Sequence, residues 1–519
     1  MSGPSEDHDR PLIPLPAGTR GLTAFALALG TFMQVLDMTI ANVSLPTIAG
    51  NLGVSANQGT WVITSFAVSN GISVPLTGWL MRRYGVVRTF VASVTLFTIA
   101  SFFCGIAWSF ESLIAFRVLQ GAVSGPMMPG SQALLMSIYP SSRRGMALAI
   151  WSMTTLVAPV AGPLLGGYIS DNFSWEWIFL INLPIGALSG LLCWRALHDK
   201  ETPTEKLPVD WVGLALLVIW VGALQIMLDT GRDADWFSSP SIVLLAVVTV
   251  VGFIAFMIWQ LTEQHPIVDL SLFLGRNFTV GTLITSIGYA VFFGNVVILP
   301  LWLQTQLGYT ATWAGIVQAP AGLVALLFSP LAGRLITRAD ARIGASMSFI
   351  IMAAGLYLRA LLNSQATLFD FIVPMLLQGA GVAFFFVSVI SITLDGITPQ
   401  RMPAATSISN FLRIVAAAFA TSISTTIWDN RASLHQSRLA EASSIFDPKL
   451  QQALAGLHDM GLTDQQSIAV LTRGMIQQAY TLSSIDYFYI STWIAVMLAG
   501  MVWFTRKPRI ASGMAAVAD

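Results

Sequence analysis

Charge is what this sequence has least of. Only 10% of its 519 residues are Asp, Glu, Lys or Arg, while 55% are hydrophobic. Soluble proteins carry about 25% charged residues, so a water-soluble globular chain is excluded. Net charge is zero and no basic tract occurs, which removes nucleic acid as a partner. The two cysteines, Cys104 and Cys193, lie in apolar runs without ligand-type spacing. They read as free thiols that fill space, not as a disulfide or zinc framework. All five histidines (His8, His198, His265, His435, His458) fall outside apolar runs, which argues against an intramembrane histidine relay or metal site. No Gly-x-x-x-x-Gly-Lys-Ser/Thr loop is present, which argues against a self-contained ATP-driven pump. There is no nucleophile elbow and no zincin helix, and no enzyme chemistry or cofactor is expected. The first twenty residues are polar and lack the pattern of a signal peptide.

What the chain has is long apolar runs. Fourteen of them reach the roughly 20 residues that a helix needs to cross a bilayer. They lie near 22–45, 60–80, 89–108, 112–138, 146–170, 178–197, 210–229, 240–261, 278–302, 312–334, 342–362, 367–394, 403–428 and 484–505. The expected fold class is therefore an all-α polytopic membrane protein. With the N-terminus in the cytoplasm, Arg82, Arg83, Arg88, Arg143, Arg144, Arg195, Arg276, Arg334, Arg342, Arg401 and Arg506 all fall on that side. The positive-inside rule then puts both ends in the cytoplasm and favours an even span count. Trp175, Trp177 and Trp236 sit where the opposite interface should be.

Two basic turns repeat weakly, Gly78–Arg88 after the second run and Gly333–Arg342 after the tenth. That spacing reads as six spans, two inserted spans and six more, and internal repeats of this kind mark secondary transporters. The expected organisation is a cytoplasmic tail (1–20), a six-helix bundle (21–197), a linker (198–209), two additional helices (210–262), a second linker (263–277), a six-helix bundle (278–505) and a C-terminal tail (506–519). The last bundle includes an outer segment, 429–483, with helical patches at Asp447–Leu457 and Asp464–Ile476. Either this segment is an exposed amphipathic hairpin or it is a docking surface.

One acid stands out. Asp37 sits in the middle of the first run, where a carboxylate costs roughly 2.5–3.5 kcal/mol on insertion scales. At helical spacing it shares a face with Met33, Gln34, Ile40, Ala41 and Ser44, a half-polar stripe suited to a wet cavity. It is either a structural acid bonded to a neighbouring helix or a proton or ligand site. In the fourth run Arg117, Gly121, Ser124 and Met128 share a face, with Gln120 and Gln132 beside it. A permanently protonated arginine inside a membrane needs an anion or water, and Asp37 is the partner available. Moving such an arginine a short way would load or release a proton. The alternative is an arginine that snorkels to the interface.

In the fifth run Ala158, Gly162, Gly166 and Ser170 recur every four residues, and small residues at that spacing let helices approach closely. Pro159 and Pro163 bend this helix, which suits either close packing or a seam at which two halves rock. Arg413, three residues after Asn410, is a second cation in an apolar run. It could hold an anionic group, pair with a carboxylate, or lie near a helix end. Aromatic, Met and amide side chains at mid-depth, namely Gln34, Trp61, Asn70, Met127, Met128, Met153, Tyr289, Phe292, Phe293, Asn295, Gln318, Gln378, Phe385 and Phe386, could line a greasy, adaptable cavity. Of these, Gln34, Trp61, Met128, Tyr289, Phe292, Asn295 and Gln378, with Asn410 and Arg413, are the expected substrate contacts. For any one of them helix packing is the alternative.

The run Leu36-Asp37-Met38-Thr39-Ile40-Ala41-Asn42-Val43-Ser44-Leu45-Pro46 resembles the first-span signature of the fourteen-span drug:proton antiporters of the major facilitator superfamily, the EmrB/QacA subfamily. Arg117…Gln120-Gly121 resembles that superfamily's fourth-span motif, and Gly162-Pro163-x-x-Gly166-Gly167 its antiporter motif. The stretches 57–66 and 175–186 are similar to the same subfamily, and the likeness extends from about Gly21 to Phe504. The resemblance implies a major facilitator fold in a bacterial inner membrane. It implies export of hydrophobic toxic compounds against proton entry, with no cofactor beyond the gradient. Its partners would be a periplasmic membrane-fusion adaptor of the EmrA type, contacting 429–483, and an outer-membrane channel of the TolC type. Asp37 would match the proton site and Arg117 the coupling arginine. Two departures stand out: Arg82 occupies the place of an acid in the superfamily's loop motif, and Ala158 replaces the first glycine of the antiporter motif. Proton-coupled uptake of a solute is the competing function, and a lipid-handling role without transport a third.

Overall fold

The computed structural model describes residues 12–507 apart from 55–58, 60, 141–142, 206–207, 232–233, 265, 337–339 and 443–447. The side chains of some helical residues, Met153, Pro159, Pro163, Gly167 and Ser170 among them, lie outside that description, as does most of the N-terminal tail. No strand occurs among the described residues.

The first bundle comprises α1 (Ala17–Asn51), α2 (Trp61–Tyr84), α3 (Val86–Gly105), α4 (Phe110–Ser124), α5 (Met127–Ile138), α6 (Arg144–Asn172), α7 (Trp177–Leu180) and α8 (Asn182–Leu197). Two of the expected spans are thus broken. The fourth divides at Gly125-Pro126, where proline cannot donate to the preceding turn. The sixth divides at Ile181, and the N–H that Pro184 lacks is the one that would reach back to Leu180. Two helices follow, α9 (Trp211–Thr230) and α10 (Pro240–Thr262). The last bundle is α11 (Arg276–Thr305), α12 (Ala311–Ile336), α13 (Ala341–Ala360), α14 (Leu368–Thr393), α15 (Met402–Ala442), α16 (Pro448–Asp459) and α17 (Asp464–Met501).

Among the described residues, eleven stretches are long and apolar enough to cross a membrane. The remaining three expected spans are α2, the α4–α5 pair, whose halves of 15 and 12 residues are each shorter than a span, and α6. The hydrophobic side chains of α10 are largely exposed, as lipid contact requires.

α1 packs along α6 and α8, α2 along α4, α11 along α15, and α12 and α13 along α14. The two sets meet where α6 lies on α12 and α2 on α15. α9 and α10 pack on each other and close the edge beside α2 and α15, where Trp220 stacks edge-on against Phe411. The meeting points cluster at the end that bears the basic turns. A Cβ on Gly78 would lie 3.0 Å from Ala404 Cα, and one on Gly333 would lie 2.6 Å from the Gly145 carbonyl oxygen. Ser407 Oγ donates to the Val74 carbonyl at 2.7 Å. The protein is closed at this basic end.

The segment 429–483 departs from expectation. α15 runs for 41 residues and α17 for 38, roughly 60 Å each at 1.5 Å per residue. That is about twice a hydrocarbon core. The spans do not end at 428 and begin again at 484; they continue as helices beyond the bilayer, and the patch at Asp464–Ile476 is the start of α17. The projecting pair is tied at its base by Trp428 Nε1 donating to Ser484 Oγ at 2.8 Å and by Arg431 and His435 on Asp486.

Candidate functional site

α1 brings Asp37 to the centre of the first bundle, fully buried. Arg117 on α4 is 1% exposed, and its Nη1 lies 2.6 Å from Asp37 Oδ2. The other carboxylate oxygen accepts from Asn182 Nδ2 at 2.9 Å and Gln120 Nε2 at 3.1 Å. Arg117 also donates to Gln120 Oε1 at 2.7 Å and, through Nε, to the Val62 carbonyl at 2.9 Å. Its guanidinium lies 4.3 Å from the Phe66 ring and 5.4 Å from Phe179. Asn182 donates in turn to Ser101 Oγ at 3.0 Å, which donates to the Phe179 carbonyl at 2.9 Å.

The three side chains that contact the Asp37 carboxylate, Arg117, Gln120 and Asn182, all donate to it. A carboxylate and a guanidinium removed from water are costly unless each is hydrogen-bonded, and here both are. The geometry is that of a buried carboxylate paired directly with a guanidinium. Protonating Asp37 would cancel the attraction and leave Arg117 without a counter-ion.

The small-residue stripe of α6 backs this site. A Cβ on Gly162 would collide with Thr39 Oγ1, and one on Gly166 would lie 2.7 Å from the Ile40 carbonyl oxygen. Thr39 Oγ1 reaches the Ala158 carbonyl at 3.5 Å. The stripe therefore packs on α1 within one bundle, one turn from Asp37. It does not line the seam between the two sets of helices, where α6 instead offers Gly145 and Ala149.

The expected binding residues fall in three places, not one. Gln34 is buried one turn from Asp37, and neither carboxamide atom has a partner among the described residues. Trp61, next to Val62, points outward and is 40% exposed, so only its neighbour's backbone joins the site. The second place is the seam. Arg413 donates to Asn410 Oδ1 at 2.7 Å and to Met128 Sδ at 2.6 Å, and Asn410 donates to Gln132 Oε1 at 2.8 Å. Tyr289 and Trp151 face the Arg413 guanidinium at 4.9 and 5.0 Å, with Phe386 at 5.7 Å. No carboxylate pairs with Arg413 among the described residues; rings from both sets of helices cage it. The third place is a cavity in the last bundle, lined by Phe292, Asn295, Gln318, Met375, Gln378 and Arg359.

Sequence reasoning missed several of these partners. Asn182 lies in the stretch 175–186 that resembles the subfamily and carried no role of its own; the break at Ile181 sets it opposite Asp37. Arg359 was legible as a charge in an apolar run but carried no motif. An acid from another segment caps the helix that follows Arg82. Glu201, in the linker after α8, accepts from the Val87 and Arg88 N–H groups at 3.0 and 2.8 Å and so caps α3.

Comparison with known proteins places this geometry. The family model described as Major Facilitator Superfamily matches residues 27–421. The multidrug export protein EmrB of Escherichia coli (strain K12) is 48% identical over 96% of this chain and 98% of its own length. The fatty acid resistance protein FarB of Neisseria gonorrhoeae is 44% identical over 95% of this chain and 98% of its own. Among solved structures, the human organic anion transporter MFSD10 (TETRAN) superposes with a TM-score of 0.58 at 14% identity, covering 93% of this chain and all of that one. That likeness concerns the fold alone. The chain belongs to the major facilitator superfamily, in its EmrB/QacA-like branch, a family of multi-pass membrane transporters and not of enzymes.

Proposed function

We propose that this chain is a proton-coupled exporter of hydrophobic and amphipathic toxic compounds, working by alternating access. The observation that carries the reading is the buried Asp37–Arg117 pair, a titratable acid matched to a mobile-capable cation in a membrane interior. The names of the relatives, multidrug export protein among them, support the cargo class. The distribution of Lys and Arg supports placing the basic end, and both termini, in the cytoplasm of a bacterial inner membrane.

On that assignment the helices are sealed toward the cytoplasm. A proton entering from the opposite side neutralises Asp37 and frees Arg117 from α1. Because α6 is locked to α1 by the Gly162 and Gly166 contacts, a shift of α1 moves α6, and α6 carries one side of the cytoplasmic seal. Release of the proton to the cytoplasm restores the pair. Each proton crossing 100 mV supplies about 2.3 kcal/mol, of the same order as, though below, the about 3–5 kcal/mol that breaking a buried ion pair costs.

The projecting ends of α15 and α17 support a tripartite assembly. They stand on the side where a periplasmic adaptor of the EmrA type, and through it a TolC-type outer-membrane channel, would meet the transporter. The test is a drug-sensitivity panel in a pump-deficient host, with and without the adaptor, comparing wild type with Asp37→Asn. Loss of resistance with protein retained in the membrane is expected. Resistance that survives the substitution removes Asp37 from the coupling role.

A further inference from the structure

A groove opens on the outer face of the first bundle. It begins at the turn between α2 and α3, at the basic end, and runs inward to the break between α4 and α5. Its upper part is lined by Arg83, Tyr84 and Arg88, with Thr204 of the linker beside them. Its lower part is lined by Leu80, Ala92, Leu96, Val123 and Pro126. Arg88 and Leu96 stand eight residues apart on α3, so the groove reaches about 12 Å inward at 1.5 Å per residue. That takes it from headgroup level well into one leaflet of a bilayer. The space is about 480 Å³, within the range of about 300–1,000 Å³ that small-molecule sites occupy. Leu96 is 49% exposed, and Ile99 and Leu119, which continue its face and that of Val123, are exposed as well. The inner end therefore opens sideways onto a surface that meets lipid.

The mouth is positive. The Arg83 guanidinium lies 5.2 Å from the Trp79 ring and 5.7 Å from the Tyr84 ring, which fixes it at the interface. Arg88 is exposed on the first turn of α3. The acid closest in the fold, Glu201, turns its oxygens to the backbone: it accepts from the N–H groups of Val87, Arg88 and Thr202. Among the described residues no acid lines the groove. Two cations above an apolar trough, at the depth of a headgroup, are the complement of a diacyl lipid with a net negative head. A soluble anion would use the arginines and leave the trough bare. A zwitterionic lipid would bring a cation of its own to the two arginines.

We infer that this groove is a binding site for an anionic phospholipid of the leaflet at the basic end. Arg83 and Arg88 hold the phosphate, for which the guanidinium fork is suited, and an acyl chain lies along Leu80, Ala92, Leu96 and Val123. The bound lipid would touch α2, α3, the α4–α5 break and the linker together. The inference needs only that the chain crosses a membrane, and it holds or fails whatever the cargo and whether or not protons are coupled.

The test uses the full-length protein in neutral detergent micelles, with dioleoylphosphatidylglycerol, dioleoylphosphatidylcholine and soluble glycerol phosphate as probes. Bound lipid is counted by native mass spectrometry. The wild type should bind phosphatidylglycerol about tenfold or more tightly than phosphatidylcholine, and glycerol phosphate should not displace it. Arg83→Gln and Arg88→Gln should each weaken phosphatidylglycerol about fivefold and leave phosphatidylcholine within about twofold. Arg88 is exposed, so its variant carries the test if Arg83→Gln does not fold. Arg195→Gln removes an exposed charge from the same end, on α8 and outside the groove, and should change neither lipid. Ala92→Phe fills the trough with both arginines in place and should weaken phosphatidylglycerol. The proposal is overturned if the two lipids bind alike, or if Arg195→Gln costs as much as Arg88→Gln. It is also overturned if Ala92→Phe has no effect, which would mean attraction to bare charge, or if glycerol phosphate displaces the lipid, which would make the occupant a soluble phosphate.

Discussion

Replacing Asp37 by Asn is the change that bears hardest on the mechanism, and its cost can be worked from the site. Asn keeps the shape of Asp and one acceptor oxygen. That oxygen can still take the N–H groups of Asn182 and Gln120, now 2.9 and 3.1 Å from Asp37 Oδ1. The other position becomes an NH₂ group facing Arg117 Nη1, which is 2.6 Å from Oδ2 in the native pair. A donor then confronts a donor, and the buried guanidinium has no counter-charge. Removing one partner of a buried pair costs about 3–5 kcal/mol. Arg117→Gln alone strands the carboxylate at a similar cost. The double variant Asp37→Asn/Arg117→Gln strands neither charge and restores an amide-to-amide contact. It should be less damaged than the sum of the two single variants by about 2 kcal/mol or more. Unfolding of the three variants in graded SDS and mild-detergent micelles gives the cycle, and efflux in proteoliposomes gives function. All three should transport nothing against a gradient. If the two stability costs simply add to within about 0.5 kcal/mol, the pair is not the energetic unit described here and the coupling mechanism loses its basis.

Three other perturbations follow from the same structure. Gly162→Ala should lower both stability and transport, because the new methyl meets Thr39 Oγ1, whereas Ala158→Gly should be tolerated; melting temperature and efflux rate of the two variants are the comparison. Glu201→Gln should weaken the cap on α3 by about 0.5–2 kcal/mol, read as faster limited proteolysis of the 198–209 linker in membranes. Asp340 caps α13, and its hydrogen bonds from Arg342 hold its carboxyl below the usual carboxylate range. A depressed acid stabilises above its unfolded value and loses that contribution as pH falls through its folded one. The penalty of Asp340→Asn, about 0.3–1 kcal/mol for the lost charge at the helix N-terminus, should therefore be constant from pH 7 to 5 and fade only below about pH 4. A penalty already changing near pH 6 would contradict it.

Much of the molecule was legible as text because membranes punish polarity in a way that depends on composition alone. Apolar runs of spanning length, a scarcity of charge and the bias of arginine toward one set of turns need no knowledge of contacts. The same rule made Asp37 and Arg117 conspicuous: an ionised group in an apolar run has to be compensated, and few partners were on offer. The spacing of Ala158, Gly162 and Gly166 announced a close approach by backbone geometry alone.

What spacing could not announce was the other party to each contact. That the stripe of α6 closes on α1 and not on the seam depends on which way a helix is turned about its axis, and that is set by packing. Asn182 joins Asp37, 145 residues away in the chain, because the helix break at Ile181 turns it toward the acid. The cap of α3 comes from Glu201, more than a hundred residues further along the chain. Arg413 and Arg359 are equivalent in the sequence, two arginines in apolar runs. Only the folded chain surrounds one with rings and leaves the other looking into an apolar cavity, because the solvation of a buried charge is a property of its neighbours in space. Sequence determined that this protein crosses a membrane and hides charges inside it; tertiary structure alone decided which of those charges are already answered.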